Sequence, residues 1–385
     1  MRLIRNLVWA LVSVVFIHSS GAQGPQNQPP AFDSVTVAES GEITFRIFAP
    51  KASSIKLSSS DIPNLMQGLD LKKSEQGVWE GTTAKVQPGA YRYNFSVDGL
   101  SVIDPRNSKT SESNMNTWSL AVVPGSTDFD LKDVPHGAVA VVPYYSKSLK
   151  KFRRMHVYTP PGYERSSEEL PVLYLLHGAF DCDNSWSSVG MAGSILDNLI
   201  AAGKAKSMIV VMPMGHTGAF AFGPGNSFEK QMEEFVTDFQ QDIKPMVEDR
   251  YRVKKGRQHT AIAGLSMGGA HTLQIALDNL DHYAYIGVFS SGVFGIDRGT
   301  GPESPRAKWE ARYSKGLKDA ELKEGLNLVW FGTGKEDFLL NTSRETVTAL
   351  KSFGFEVQFD ETEGGHTWLV WRDYLRDFAQ RIFTK

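Results

Sequence analysis

The sequence has a single cysteine and no marked excess of charge, and both features limit what the protein can be. Cys182 alone cannot form an intramolecular disulfide framework or a cysteine-cluster metal site. The 385 residues carry 41 lysines and arginines against 43 aspartates and glutamates, a formal net charge of −2. Because a dedicated nucleic-acid-binding protein usually has a strong basic excess, we expect no nucleic-acid partner.

Long hydrophobic runs are also rare. Residues 7–17 form an apolar stretch, but its eleven residues are too few to span a bilayer, which takes about 20. Two arginines precede this stretch, and a Ser-Gly-Ala sequence at residues 20–22 follows it. This pattern predicts a signal peptide over residues 1–22, cleaved before Gln23. We therefore expect an exported protein, secreted or periplasmic, with no membrane attachment after cleavage.

The region after the signal peptide is predicted to be all-β. A polar, proline-rich leader over residues 23–31 precedes short segments in which polar and apolar residues alternate, as over residues 42–48 and 91–97. This period-two pattern is typical of strands with one buried face. The sequence therefore predicts a small, immunoglobulin-like β-sandwich over residues 32–124, followed by a polar connector over residues 125–137.

The pattern changes in residues 138–385, where apolar strand-like runs alternate with helix-like stretches. Such an alternation predicts an α/β domain whose mostly parallel sheet is covered by helices on both faces. A capping-box sequence at residues 342–345 is expected to open the third helix. The predicted strands are residues 170–176, 208–212, 260–263, 284–289, 326–331 and 355–359, and the predicted helices are residues 235–250, 269–280, 343–353 and 368–383.

A glycine-rich turn with a central serine joins one predicted strand to the next helix. The turn is Gly-Leu-Ser-Met-Gly at residues 264–268, a G-x-S-x-G sequence. Between a strand and a helix this sequence is typical of the nucleophile elbow, in which a strained turn exposes the serine above the sheet. We therefore predict an α/β-hydrolase fold with Ser266 as the nucleophile. The alternative interpretation is a glycine-rich packing turn.

A serine nucleophile needs a general base and a carboxylate that orients the base. Glu336 and Asp337 follow the strand predicted over residues 326–331, and open α/β sheets build their sites at the carboxyl ends of strands. We predict Asp337 as the acid, with Glu336 as the alternative. His366 lies in a glycine-rich loop after the last predicted strand and is the only histidine downstream of the acid. It is the predicted base.

An oxyanion hole needs two backbone N–H donors. One is predicted at Met267, directly after the nucleophile, and the other in the His-Gly loop that follows an early strand. We expect Ala179 to supply this second donor, with Phe180 as the alternative. His177 precedes the nucleophile and is interpreted as a residue that braces the loop. Histidine and carboxylate ligands do not converge in the sequence, so no metal site is predicted.

The catalytic half resembles the esterase-D-like α/β-hydrolases, and in particular the family-one carbohydrate esterases. These include feruloyl and acetylxylan esterases, and enterochelin esterases are their relatives. The segments that carry the resemblance are VYTPPGY at residues 157–163, LLHG at 175–178, AIAGLSMGG at 261–269 and GHTWLVWR at 365–372. The N-terminal region resembles the isoamylase-type early-set sandwiches that precede some of these esterases, with DPRN at residues 104–107.

The resemblance implies hydrolysis of an ester of a plant cell-wall polysaccharide similar to arabinoxylan. It also implies that the reaction uses no metal and no organic cofactor. The alternatives are an acetylxylan or siderophore esterase on the same scaffold, and a carbohydrate-binding protein with a vestigial hydrolase fold. The complete set of Ser266, Asp337 and His366 argues against the last. Since every predicted catalytic residue follows residue 178, we expect residues 32–124 to be dispensable for the hydrolysis of small soluble esters. The sequence predicts no oligomeric state.

Aromatic residues are frequent in the predicted loops. We expect Phe180, Trp186 and Trp368 to bind the substrate, because exposed aromatic rings near a site stack on sugars or on a hydroxycinnamoyl ring. Such a pocket favours a feruloyl group over acetate. Residues 215–228 are a candidate lining for the side of the pocket that binds the acid part of the ester. About half of the loop aromatics are expected merely to pack under loops. The others in the predicted loops are Phe220, Phe222, Phe294, Trp309 and Phe338.

Overall fold

The structure is a computed structural model that describes residues 30–65, 67–219 and 228–384. The predicted signal peptide, most of the predicted leader and the loop residues Phe220 and Phe222 lie outside these residues. None of the described helices is both long and apolar enough to cross a membrane.

The N-terminal part is a β-sandwich whose paired strands are all antiparallel. One sheet has the order β1-β2-β6-β5, and the other has the order β4-β3-β7-β10-β9, with β8 paired to β7. Alternation along β2 buries Ile43, Phe45 and Ile47 between the sheets, as the pattern of residues 42–48 predicts. The strands are β1 (Val35–Val37), β2 (Ile43–Phe48), β3 (Ile55–Ser58), β4 (Leu69–Asp70), β5 (Lys72–Lys73), β6 (Val78–Thr82), β7 (Gly89–Val97), β8 (Leu100–Val102), β9 (Thr110–Glu112) and β10 (Thr117–Val123).

The C-terminal part contains a mixed sheet of eight strands in the order β11-β12-β14-β13-β15-β16-β17-β18. The hairpin β11–β12 is antiparallel and joins β14 antiparallel, while the remaining neighbours are parallel. The strands are β11 (Ala138–Ser146), β12 (Lys151–Thr159), β13 (Val172–Leu176), β14 (Ile209–Pro213), β15 (Thr260–Leu265), β16 (Tyr285–Phe289), β17 (Leu328–Gly334) and β18 (Gln358–Thr362).

Helices cover both faces of this sheet. Along β13, Val172 and Tyr174 pack into one apolar cluster, while Leu173 and Leu175 pack into a second cluster on the other face. A π-helical turn, Phe239–Ile243, connects the second and third helices. The helices are α1 (Ala192–Ala201), α2 (Phe228–Asp238), α3 (Lys244–Arg250), α4 (Met267–Asp278), α5 (Pro305–Arg312), α6 (Ser314–Lys318), α7 (Ala320–Glu324), α8 (Leu340–Ser352) and α9 (Trp368–Ala379), with short 3-10 turns at Tyr163–Arg165, Arg257–His259 and Leu280–His282.

The predicted fold class, an α/β-hydrolase domain after an all-β sandwich, is confirmed. The sequence pattern did not predict the hairpin β11–β12, helix α1 or the short helices α5 to α7. The predicted capping box at residues 342–345 is wrong, because α8 already begins at Leu340. Ser343 lies inside that helix and is buried, and its hydroxyl donates to Ser291 O (2.7 Å) instead of capping the helix.

Candidate active site

Ser266 stands on a sharp turn between β15 and α4. Its backbone has φ 52° and ψ −119°, a strained conformation for a residue other than glycine. A Cβ atom at Gly268 would lie 2.6 Å from the carbonyl oxygens of Leu176 and His177, so only glycine fits where the helix begins. The Ser266 N–H donates to Phe289 O (2.9 Å), which helps to hold the strained turn. The turn has the form of a nucleophile elbow.

The structure brings Ser266, His366 and Asp337 into one hydrogen-bonded chain. His366 Nε2 lies 3.0 Å from Ser266 Oγ, and His366 Nδ1 lies 3.0 and 3.1 Å from the two carboxylate oxygens of Asp337. With Nδ1 protonated and donating to the carboxylate, Nε2 accepts the serine proton. Asp337 is therefore the carboxylate that contacts the imidazole, whereas Glu336 is exposed at the surface.

The environment of Asp337 favours its ionised form. Burial opposes ionisation, but hydrogen bonds from His366, the Leu339 N–H and the Ser290 hydroxyl, with the attraction of the imidazole, lower the pKa of Asp337 below its ordinary value. The Leu339 N–H bond is 2.8 Å long. A buried carboxylate that accepts several hydrogen bonds stays charged near neutral pH, as an orienting acid requires.

Two aromatic rings flank the imidazole. Phe338 was predicted only as a loop aromatic, and neither Trp371 nor Ser290 was predicted as a site residue. The ring of Trp371 lies 4.9 Å from that of His366 and at 89° to it, while Phe338 lies at 4.4 Å. The Trp371 Nε1–H donates to the Ser290 hydroxyl (3.0 Å), which is therefore oriented toward Asp337. The sequence signal for Ser290 is weak, since it is only a polar residue directly after the buried strand β16.

The two predicted oxyanion donors come from two different elements beside the nucleophile. Met267 begins α4, and Ala179 lies in the loop after β13; both line the same cavity as Ser266. A Cβ atom at Gly178 would lie 3.4 Å from Ser266 Cβ, so this loop passes close to the nucleophile. His177 braces the loop from behind: its Nδ1 bonds to Gly178 O and its Nε2 accepts the Gly215 N–H, both at 2.8 Å.

Ser266 opens into a cavity of about 830 Å³ with largely apolar walls. Phe180 and Trp368, two of the predicted substrate-binding residues, line it, although Trp368 is only 3% exposed. Residues of the sandwich complete the wall, while the dispensability of residues 32–124 for the hydrolysis of small soluble esters stays a prediction. The sandwich residues that line the cavity are Ser60, Asp61, Arg92, Ser113, Met115, Asn116 and Trp118.

Trp186 does not line this cavity, which corrects its predicted role in substrate binding. It is 1% exposed, and its Nε1–H donates to Leu176 O at 3.1 Å. Its ring packs against Trp368 at 5.0 Å and Phe289 at 6.3 Å. The side chain therefore supports the cavity wall from behind. Of the other loop aromatics, Trp309 is buried in the core, whereas Phe294 and Phe338 line the cavity. Phe228, the last residue of the predicted lining over residues 215–228, lines it as well.

Within the described residues, histidine, cysteine, aspartate and glutamate side chains do not form any group of three or more that could hold a metal ion. Cys182 is buried, and this burial raises the pKa of its thiol to about 12. The thiol is therefore protonated near neutral pH and is a poor nucleophile or metal ligand.

Comparison with known proteins identifies both domains. Residues 146–382 match the family model described as putative esterase. The chain belongs to this esterase family. The family lies among the carboxylic ester hydrolases, as the sequence predicts. Residues 33–123 match carbohydrate-binding module 48, the isoamylase N-terminal domain, which confirms the predicted resemblance of the sandwich.

Individual relatives of the esterase share its fold and part of its sequence. An endo-1,4-β-xylanase/feruloyl esterase of Xylanibacter ruminicola is 33% identical over 370 residues, which cover 93% of this chain and 47% of that protein. The chain thus spans about half the length of this relative. A CE1 ferulic acid esterase from Anaeromyces mucronatus, solved in complex with ferulic acid, has 25% identity and a TM-score of 0.58, covering 68% of this chain and 96% of that one.

A third comparison extends over both domains. The enterobactin esterase of Shigella flexneri has a TM-score of 0.60 over 88% of this chain and 92% of that one, at 17% identity. At that level of identity the likeness shows a shared fold alone.

Proposed function

We propose that this esterase is an exported serine carboxylesterase that removes feruloyl groups from plant cell-wall polysaccharide. The observation that carries the proposal is the hydrogen-bonded chain of Ser266, His366 and Asp337 at the base of a large, largely apolar cavity. The xylanase/feruloyl esterase and the ferulic acid esterase named above support the choice of acyl group.

Acylation follows from the geometry of the three residues. Ser266 Oγ attacks the ester carbonyl carbon while His366 Nε2 takes the hydroxyl proton, and Asp337 stabilises the imidazolium that forms. The carbonyl oxygen becomes an oxyanion that the N–H groups of Met267 and Ala179 stabilise. When the tetrahedral intermediate collapses, the bond to the alcohol oxygen breaks, His366 returns the proton to that oxygen, and the polysaccharide leaves. The feruloyl group remains bound to Ser266 as an ester.

Deacylation repeats these steps with water. His366 takes a proton from a water molecule, whose oxygen attacks the acyl carbon of the feruloyl–Ser266 ester. The second tetrahedral intermediate breaks its bond to Ser266 Oγ, and the imidazolium returns a proton to this oxygen. Ferulate leaves, and the free enzyme is restored without a cofactor.

The cavity supports an aromatic acyl group. Its volume of about 830 Å³ is far larger than an acetyl group needs, and falls in the range of pockets that enclose drug-sized ligands, about 300–1,000 Å³. Phe180, Phe294 and Phe338 are all more than one-third exposed and line it. Aromatic rings in such a position provide stacking faces for a hydroxycinnamoyl ring and for the sugar that carries it.

A panel of esters tests this proposal. The wild-type enzyme and Ser266→Ala are compared on methyl ferulate, feruloylated arabinoxylan, 4-nitrophenyl acetate, acetylated xylan and a catecholate siderophore. We expect the highest kcat/KM on the feruloyl esters and a loss of about a million-fold in kcat for Ser266→Ala. A preference for acetylated xylan or the siderophore would reassign the substrate, and an active Ser266→Ala would reassign the nucleophile.

Export is the second part of the proposal, and it is based on the sequence of residues 1–22. Expression of the full chain in a bacterium with an intact secretory pathway, followed by N-terminal sequencing, provides the test. The expected mature N-terminus is Gln23, in the periplasm or the medium. An intact N-terminus in the cytosol would contradict export.

A further inference from the structure

The two domains meet at the loop that carries the oxyanion donor Ala179. Arg92, on β7 of the sandwich, extends its guanidinium across the interface. Its Nη1 donates to Asp181 Oδ1 (2.7 Å), while its Nε and Nη2 donate to the two carboxylate oxygens of Asp61 (2.9 and 3.1 Å). Asp61 lies in the sandwich, whereas Asp181 follows Ala179 by two residues in the esterase domain.

Asp181 closes the turn in which Ala179 lies. The Asp181 N–H donates to Gly178 O (3.2 Å), so residues 178–181 form a tight turn directly after β13. The ion pair from Arg92 fixes the last residue of that turn. The sandwich holds the turn at a second point, because the Asn114 N–H donates to Phe180 O (3.2 Å).

The ion pair is shielded from solvent. The side chain of Arg92 is 11% exposed, and those of Asp61 and Asp181 are 9% and 7% exposed. Removing one partner from such a group leaves a buried charge without compensation, so the structure around it must rearrange. The forked guanidinium binds both carboxylates at once, which the single ammonium of a lysine cannot do with the same geometry.

We infer that Arg92 is a positioning residue for catalysis, which acts through Asp181 to hold the Ala179 N–H where the oxyanion forms. The sandwich is then part of the catalytic apparatus and not only a binding module. The inference rests on the proposed function, since it assumes that Ser266 forms a tetrahedral intermediate. Small displacements are sufficient to matter, because an oxyanion donor acts only within hydrogen-bond distance of the developing charge.

The test compares Arg92→Lys with Glu112→Gln in the full chain. Glu112 also bridges the domains, through Arg154, but its side chain bonds to Arg154 and not to the turn. Because this pair is more exposed than that of Arg92, the variant controls for the loss of a charged contact between the domains and not for burial. The readouts are kcat and KM on methyl ferulate, the affinity for ferulate, and the affinity for an aryl boronic acid that forms a tetrahedral adduct with the nucleophile.

We expect Arg92→Lys to lower kcat by about ten- to a hundredfold and to weaken boronate binding by a similar factor. In Arg92→Lys, KM and the affinity for ferulate are expected to change by less than about twofold. In Glu112→Gln, every readout is expected to change by less than about twofold. If Arg92→Lys does not fold, Asp181→Asn decides the question. It leaves Arg92 paired with Asp61 and weakens only the hold on the turn, and we expect the same selective loss of kcat and boronate affinity.

Unchanged kcat in the folded variant would overturn the inference. A rise in KM and a fall in ferulate affinity as large as the loss of kcat would also overturn it, because they would indicate that Arg92 binds the substrate directly. Failure of the proposed function has a different signature. The wild-type enzyme would then prefer an acetyl or siderophore ester to the feruloyl esters, or Ser266→Ala would remain active, whatever the Arg92 variants do.

Discussion

Replacing Asp337 with asparagine should stop turnover while leaving the protein folded. In the structure this carboxylate faces three donors: His366 Nδ1–H, the Leu339 N–H and the Ser290 hydroxyl. The amide of asparagine must present an NH₂ group in place of one acceptor. The arrangement that satisfies this NH₂ group has His366 Nδ1 unprotonated and accepting, so that the ring proton moves to Nε2. That nitrogen then faces Ser266 as a donor and cannot take its proton.

The size of the effect follows from this change of tautomer. The corresponding change in a serine protease lowers kcat by about 10⁴, through the same wrong tautomer. The side chain of Asp337 is fully buried, so bulk water does not replace its charge beside the imidazolium. We therefore expect Asp337→Asn to lose at least about a thousand-fold in kcat, or about 4 kcal/mol of transition-state stabilisation.

The assay is kcat on methyl ferulate, with thermal unfolding as the measure of folding. Glu336→Gln is the matched control, because it removes the same charge from the neighbouring, exposed residue. It should lose less than about threefold in kcat, since an exposed charge is screened by solvent and salt. The reasoning is refuted if the two variants rank in the reverse order, or if folded Asp337→Asn keeps more than about a tenth of the activity.

Three further predictions concern residues around the site. Burial lowers the pKa of His271 far below its ordinary 6.5, so the unfolded chain binds more protons and stability falls as the pH drops below about 6.5. His271→Leu should flatten this slope, by up to about 1.4 kcal/mol per pH unit at the acidic end of urea unfolding measurements made between pH 7.5 and 5. An unchanged slope would contradict this prediction. Ser290→Ala should lower kcat by about tenfold, because Asp337 loses a hydroxyl donor; a loss equal to that of Asp337→Asn would mean that the hydroxyl has a larger role. Trp186→Phe should cost about 1–3 kcal/mol of stability, because Leu176 O loses its donor and the smaller phenyl ring leaves a gap. KM should stay constant, and a raised KM would indicate that this residue belongs to the substrate-binding wall.

The sequence was sufficient to predict the parts of the site that depend on local geometry. The G-x-S-x-G turn needs a strand before it, a helix after it and glycine where the backbone crowds, and all three are visible within a few residues of Ser266. His366 could be predicted from its place after the last strand. The sequence left Glu336 as an alternative to Asp337, because neighbouring side chains of a loop point in directions that only the folded loop fixes. In the structure it is Asp337 that faces the imidazole.

The errors come from packing between segments that are distant in the chain. Trp186 lies in a loop rich in serine and glycine, which suggests exposure, but Trp368 and Phe289 enclose its ring. Arg92 alternates with Tyr91 and Tyr93, whose rings lie in the sandwich core, so the pattern indicates a solvent-facing side chain. The whole of β7 from Gly89 to Phe95 is buried instead, because its outer face is covered as well. A single sequence holds no pattern that says which strand face a second domain covers.

The contacts across that interface argue that the sandwich is a fixed part of the enzyme. Arg372, on α9 beside the site, is completely buried, and its Nη1 donates to Ala90 O on β7 (3.2 Å) and to Val189 O (2.9 Å). Burial lowers the pKa of this guanidinium to about 10. Separating the domains would break the bonds of Arg92 and Arg372 at once and expose the apolar surface around them. A module tethered for reaching along a polysaccharide would need an interface that opens easily. The cavity above Ser266 therefore has one wall from each domain, and under the proposed function the polysaccharide enters between these two walls.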